Sequence, residues 1–212
     1  ARLATSDFLG TDKNFVVNAY GTKSDNGGFS DNDQSYGISA HYPNDSYVGE
    51  LVYRVIEKDF NPALGFVQRK NVRMYRAGAS YNPRPKNLWG IQQMFHDIFY
   101  TQFERLDNGH IESTELHITP LDYHFQSGDA IHALIDYDRT YERLFEPFQI
   151  SPSVILMPGE YHNNRFKTTI ATARKRRMTA FVNASYGDFW SGSAEQISTT
   201  ITYKLPPKFN FS

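Results

Sequence analysis

The chain has 212 residues, 22 basic against 23 acidic side chains for a formal net charge of -1, and 40% hydrophobic residues. That balance gives no electrostatic basis for nucleic-acid binding, and no stretch nears the roughly 18 consecutive apolar residues of a membrane-spanning helix. Cysteine is absent, which excludes a disulfide scaffold and a thiolate metal site, while aromatic residues reach 15%, mostly Tyr and Phe.

Taken in order, the chain alternates with period two and contains no convincing helix. Ala1-Arg2-Leu3-Ala4-Thr5 reads as the middle of a strand, neither a signal peptide nor a start. The chain is therefore expected to be an excerpt of a longer precursor whose export signal lies upstream. After a tight break near residues 9–12, Tyr36, Ile38, Ala40 and Tyr42 oppose Ser35, Gly37, Ser39 and His41. Tyr47, Leu51, Tyr53 and Val55 then oppose Glu50 and Arg54, and Tyr75, Ala77, Ala79 and Tyr81 oppose Arg76, Gly78 and Ser80.

Residues 88–103 are hard to phase, because Gln92 and Gln93, and His96 and Asp97, put polar groups on both parities. Around Thr119-Pro120-Leu121 the phase switches, as at a bulge. Both segments are expected to project beyond a bilayer. Ile131, Ala133, Ile135 and Tyr137 oppose His132, Asp136 and Asp138. Met178, Ala180, Val182, Ala184 and Tyr186 oppose Thr179, Asn183 and Ser185, and Ile197, Thr199, Ile201 and Tyr203 oppose Gln196, Ser198, Thr200 and Thr202. Successive strand residues point to opposite faces, so each segment has one apolar and one polar surface.

The connections carry a second signal. Long links at residues 23–32, 58–70, 104–109, 139–163 and 188–193 take turns with short ones at 43–45, 82–86, 126–129, 174–177 and 205–207. Up-and-down strands collect alternate connections at opposite rims, and outer-membrane barrels have short periplasmic turns and long outside loops. The apolar faces use Ala, Gly, Thr and Tyr as freely as Leu or Ile, thin material for a packed core. The polar faces hold Glu50, Arg54, Arg76, His132 and Asp136, expected to face a wet lumen.

The expected fold is thus all-β: an antiparallel up-and-down transmembrane β-barrel over residues 1–212. It has about eleven strands, with a twelfth starting at Lys208, and is incomplete in this chain. An open edge cannot stand in lipid, so further strands are expected to complete an even-numbered barrel.

Asp59-Phe60-Asn61-Pro62-Ala63-Leu64-Gly65-Phe66-Val67-Gln68-Arg69 resembles the hallmark loop of an uncharacterised family of outer-membrane barrels from Gram-negative bacteria. Lys13-Asn14-Phe15, Tyr42-Pro43-Asn44-Asp45, Tyr81-Asn82-Pro83-Arg84-Pro85, Glu146-Pro147-Phe148, Pro158-Gly159-Glu160-Tyr161 and Gly187-Asp188-Phe189 match in order, so the resemblance spans nearly the whole chain. It implies a barrel in the bacterial outer membrane, following an N-terminal module similar to family-nine carbohydrate-binding domains. That module and the family's last strands lie outside this chain, so sugar binding is carried onto no residue here.

Candidate chemistry is sparse. Ser39 and His41 share a face, as do His132 and Asp136, but no motif context supports a barrel hydrolase. His110, His117 and His124 recur every seven residues, which on a regular strand sends successive members to opposite faces and argues against a metal site. Asp25-Asn26-Gly27-Gly28 lacks the terminal bidentate acid of a calcium loop. Arg174-Lys175-Arg176-Arg177 reads as a turn at headgroup level. Glu50, Arg54 and Arg76 either tune a pore or form an interior ion-pair network, and the sequence leaves both open.

The leading expectation is a membrane anchor or assembly platform for an exported carbohydrate-binding-like module and outside loops. A diffusion channel or transporter component is the alternative, and a barrel hydrolase comes last. No catalytic residue, cofactor or metal is expected. Expected partners are the outer-membrane lipid bilayer and, through the missing module or long loops, a glycan or envelope protein.

Overall fold

The computed structural model describes residues 1–24, 31–62 and 65–205, together with the backbone of 209–211. The strands are β1 (Arg2–Thr5), β2 (Phe15–Lys23), β3 (Gln34–Pro43), β4 (Tyr47–Ile56), β5 (Val72–Tyr81), β6 (Ile91–Arg105) and β7 (Ile111–Phe125). They continue with β8 (Ala130–Leu144), β9 (Phe148–Ser151), β10 (Val154–Leu156), β11 (Gly159–Ala171), β12 (Met178–Phe189), β13 (Gly192–Leu205) and β14 (Phe209–Phe211). A 3-10 turn, Phe8–Gly10, stands at the expected break after β1.

The fold is all-β. Twelve strands make one sheet in the order β1-β2-β3-β4-β5-β6-β7-β8-β11-β12-β13-β14, so each strand pairs with its neighbour in the chain except that β8 pairs with β11. β9 and β10 form a separate hairpin. The sheet strands fall in the expected order, and β14 lies where a twelfth was expected, although Lys208 itself is outside the described residues. Two compact units divide the chain: Ala1–Ala79, Phe99–Glu115 and Tyr141–Glu160 form one, Ser80–Ile98, Leu116–Thr140 and Tyr161–Ser212 the other.

In the first unit, register carries the alternation from strand to strand. Ala19, Ile38 and Tyr53 are paired across β2, β3 and β4, as are Val17, Ala40 and Leu51. On the opposite face Asn18, Ser39 and Val52 align, followed by Val16, His41 and Glu50. In the second unit, Phe166, Tyr186 and Glu195 align, and Ile170, Val182 and Thr199 follow on the same face. The rings of Tyr137, Phe166 and Tyr186 form a ladder with centroids 5.1 and 5.2 Å apart.

Burial along β3 and as far as Leu51 on β4 is inverted relative to a water-soluble sheet. Ile38 is 52% exposed and Leu51 62%, whereas Ser35, on the polar face of β3, is 5% exposed. Among the described residues, the buried apolar side chains are Val55, Val72, Ile91, Ala130, Leu156 and Ala173. They are too small and scattered to make a core of the usual kind.

Three expectations about connections need correction. The link at 104–109 is a turn between Arg105 and Ile111, and the link at 188–193 shrinks to Trp190 and Ser191. In both places the ladder continues through polar residues, because an inter-strand hydrogen bond needs only backbone, and Trp190 takes φ 54° to reverse the chain. The segment 139–163 is largely strand: β8 runs to Leu144, β9 and β10 form their hairpin, and β11 begins at Gly159. Conversely, the short turn after β5 runs through Asn87, Trp89 and Gly90, all with positive φ, before β6 begins. The regular alternation of long and short links is therefore weaker than the sequence implies.

Candidate functional site

The first unit builds its polar face from arginines held by carboxylates and aromatic rings. Arg76 on β5 pairs with Glu50 on β4, donates to Thr101 Oγ1 on β6 at 3.1 Å, and lies 4.9 Å from the Phe99 centroid. Gly78 makes room for that ring, since a Cβ there would sit 1.9 Å from Phe99 Cδ1. Arg69 donates to Glu112 and Glu142, each at 3.1 Å, over the Phe103 ring at 4.8 Å. Arg105 forks onto Asp107 and lies 4.8 Å from the Phe145 centroid. A guanidinium between a carboxylate and a ring face has its charge neutralised and its flat surface covered.

Arg54 takes no part in the Glu50–Arg76 pair. It is exposed and helps to line a 540 Å³ cavity with Arg69, Phe60, Phe66 and Phe103. Much of the wall comes from the 59–69 segment, of which Ala63 and Leu64 lie outside the described residues. The Asp25-Asn26-Gly27-Gly28 stretch also lies outside them.

Ser39 and His41 do meet, with His41 Nε2 3.0 Å from Ser39 Oγ. The acid that would orient the imidazole, Glu50, is 3.9 Å from Nδ1 and is already engaged by Arg76. That distance is an ion-pair contact, too long for the hydrogen bond that fixes a catalytic tautomer.

The second unit contains two acid–histidine clusters. In one, His117 Nδ1 is 2.7 Å from Asp138 and 3.3 Å from Asp136. Thr119 Oγ1 lies 3.1 Å from His117 Nε2 and donates to Asp136 at 3.4 Å, while the Lys167 ammonium pairs with Asp138. In the other, Asp122 lies 3.1 Å from His124 Nε2 and 3.7 Å from His132 Nδ1. The His124 ring packs against Phe95 at 4.8 Å and meets His132 edge-on at 4.7 Å.

No protein-family model, curated protein or solved structure matches the chain.

The five residues expected on the polar face are thus distributed over separate groups. Glu50 and Arg76 are joined, Arg54 stands apart, and His132 and Asp136 belong to different clusters. His110, His117 and His124 do not converge on one another, as their seven-residue spacing implies. His110, in the turn before β7, joins neither group, but His117 and His124 both reach even-numbered partners on β8. Odd-numbered His117 and Thr119 meet Asp136 and Asp138, whereas even-numbered Asp122 and His124 meet His132. The pairing of β7 with β8 therefore shifts by one residue between the two clusters, and the positive φ in that stretch, 52°, belongs to Ala133 on β8. The partners of Asp122, His124 and Asp138 required the neighbouring strand.

Proposed function

We propose that this chain forms wall strands of an outer-membrane β-barrel acting as membrane anchor and assembly platform rather than as a catalyst. One observation carries the reading: on β3, on β5 and on β4 as far as Leu51 the exposed positions are the apolar ones, while Glu50 and Arg76 pair on the opposite face. In water, exposing Ile38, Leu51, Tyr75, Tyr186, Ile197 and Ile201 together would be costly and aggregation-prone. Against lipid tails the same surface is satisfied, and Tyr is suited to the headgroup boundary. The 10-residue lengths of β3, β4 and β5 match the roughly 9–11 residues of a tilted membrane strand. The 15-residue β6, β7 and β8 are longer and would extend beyond the bilayer.

Mutual pairing of Arg76 with Glu50, and of Arg69 with Glu112 and Glu142, favours a stiffened wall over a conducting pore. The reading requires the outer edges of β1 and β14 to be paired, because lipid supplies no hydrogen bonds. The carbohydrate-binding-like module is implied by the family resemblance alone, and a glycan or envelope protein would be reached through it.

The test is vesicle flotation and planar-bilayer recording with the full-length precursor. The anchor reading expects co-flotation with lipid, extraction only by detergent, and no steady conductance. A precursor that stays in the aqueous phase overturns the membrane assignment; steady salt-dependent conductance overturns the anchor in favour of a channel.

A further inference from the structure

The Asp122, His124 and His132 cluster has the make-up of a metal centre, and its argument is independent of the membrane reading. Asp122 and His124 are two apart near the end of β7, so their side chains leave the same face. His132 comes from the start of β8, across the turn at 126–129. A turn of that length holds three donors from two antiparallel strands at fixed spacing. One donor atom from each residue lies within 4.8 Å of the others.

The spacing fits a shared cation. Ligand atoms about 2.0–2.2 Å from a tetrahedral ion stand about 3.3–3.6 Å from one another. Asp122 Oδ1 lies 3.1 Å from His124 Nε2 and Asp122 Oδ2 3.7 Å from His132 Nδ1, so the one carboxylate faces both imidazoles at close to that separation. Asp122 Oδ1 is shielded from solvent and has no hydrogen-bond partner, although His124 Nε2 is 3.1 Å away. A sheltered carboxylate oxygen normally accepts a hydrogen bond. A close nitrogen that makes none is the arrangement of two lone-pair donors flanking a common centre.

The neighbouring cluster makes the contrast. His117 is hydrogen-bonded to Asp138, Thr119 joins it to Asp136, and Lys167 supplies the positive charge. That group is internally satisfied, and the ammonium would repel a cation. Around Asp122 the positive charge has to come from protonated imidazole or from a bound ion.

We propose that Asp122, His124 and His132 bind a first-row divalent transition-metal ion, with Zn²⁺ as the probe. Two imidazoles select such an ion over Mg²⁺ or Ca²⁺, which favour oxygen donors. Three protein ligands leave a position open, and both histidines line a 610 Å³ cavity from which water fills it.

The experiment titrates Zn²⁺ into the untagged, metal-stripped full chain in detergent, with β-structure checked by circular dichroism. One equivalent binds the native chain. Asp122→Asn and His132→Ala each weaken binding roughly 100-fold, while His117→Ala leaves it unchanged. The proposal is overturned if the native chain binds no Zn²⁺, if binding survives Asp122→Asn and His132→Ala, or if His117→Ala weakens it equally. Should those variants fail to fold, X-ray absorption of the Co²⁺-loaded native chain decides: two imidazoles in the shell support the site, and an all-oxygen shell overturns it.

Discussion

At the scale of single residues, the two faces of β3 make opposite demands one position apart. Ile38 is half exposed on the apolar face, and Ser39 on the polar face accepts a hydrogen bond from Asn18 at 3.5 Å. If the apolar face meets the bilayer centre, Ile38→Arg and Val182→Arg each cost about 2–4 kcal/mol, and Ser39→Arg much less. Folding titrations in lipid vesicles measure this, and equal losses at Ile38 and Ser39 would contradict the assigned faces. Glycine gives a second contrast. Gly187 has φ +139°, and a Cβ there would sit 2.1 Å from the Asn164 carbonyl oxygen, whereas Gly21 opens onto free space. Gly187→Ala is expected to destabilise by about 1–3 kcal/mol and Gly21→Ala to be neutral or slightly stabilising. Urea midpoints of the two variants separate a backbone clash from a general intolerance of side chains.

At the scale of elements, cross-strand pairs and turns fix which strand lies against which. Arg76 joins β4, β5 and β6, so Arg76→Met leaves Glu50 without its partner and costs about 1–3 kcal/mol. The double variant with Glu50→Met should recover much of that loss, since no charge is then stranded. A double-mutant cycle on unfolding free energy reads the coupling.

The turn from β7 to β8 offers a pH test. Asp129 accepts a hydrogen bond from Ser127 Oγ and another from the Ala173 amide, and pairs with Arg176. The Ser127 bond first, then the Ala173 amide and the Arg176 charge, hold its carboxyl below the usual carboxylate range. A depressed folded-state value means the contribution is complete above the unfolded-state value and is lost as pH falls through the lower, folded one. Acid titration of stability should therefore lose this contribution only below about pH 4, and Asp129→Asn should remove that step. An unchanged acid limb in Asp129→Asn would show that the turn carries no linkage.

At the scale of the whole molecule, the order of strands is a chain of neighbours, the simplest path by which period-two segments form one sheet. Residues 35–42 announce their two faces because alternation is local: a strand of known phase has no freedom in where its side chains point. The same reasoning placed Tyr75, Ala77, Ala79 and Tyr81 on the exposed side of β5, where the structure has them. It failed for residues 139–163, where the ends of β8 and β11 are built from polar sequence and the β9–β10 hairpin from short apolar runs, Phe148-Gln149-Ile150 and Val154-Ile155-Leu156. It also missed Phe181, which alternates onto the polar face and lines the 610 Å³ cavity.

The amino-acid order alone determined the strand class and the two-faced character of the more regular segments, because those depend on side chains within a few positions of one another. Only the tertiary structure decided that Arg69 meets Glu112 and Glu142, that Glu50 serves Arg76 before His41, and that Asp122, His124 and His132 converge. Apart from Arg69, which lies in the link before β5, those partners are brought together by backbone hydrogen-bond register between strands, and a register shifted by one residue would send their side chains to the other face.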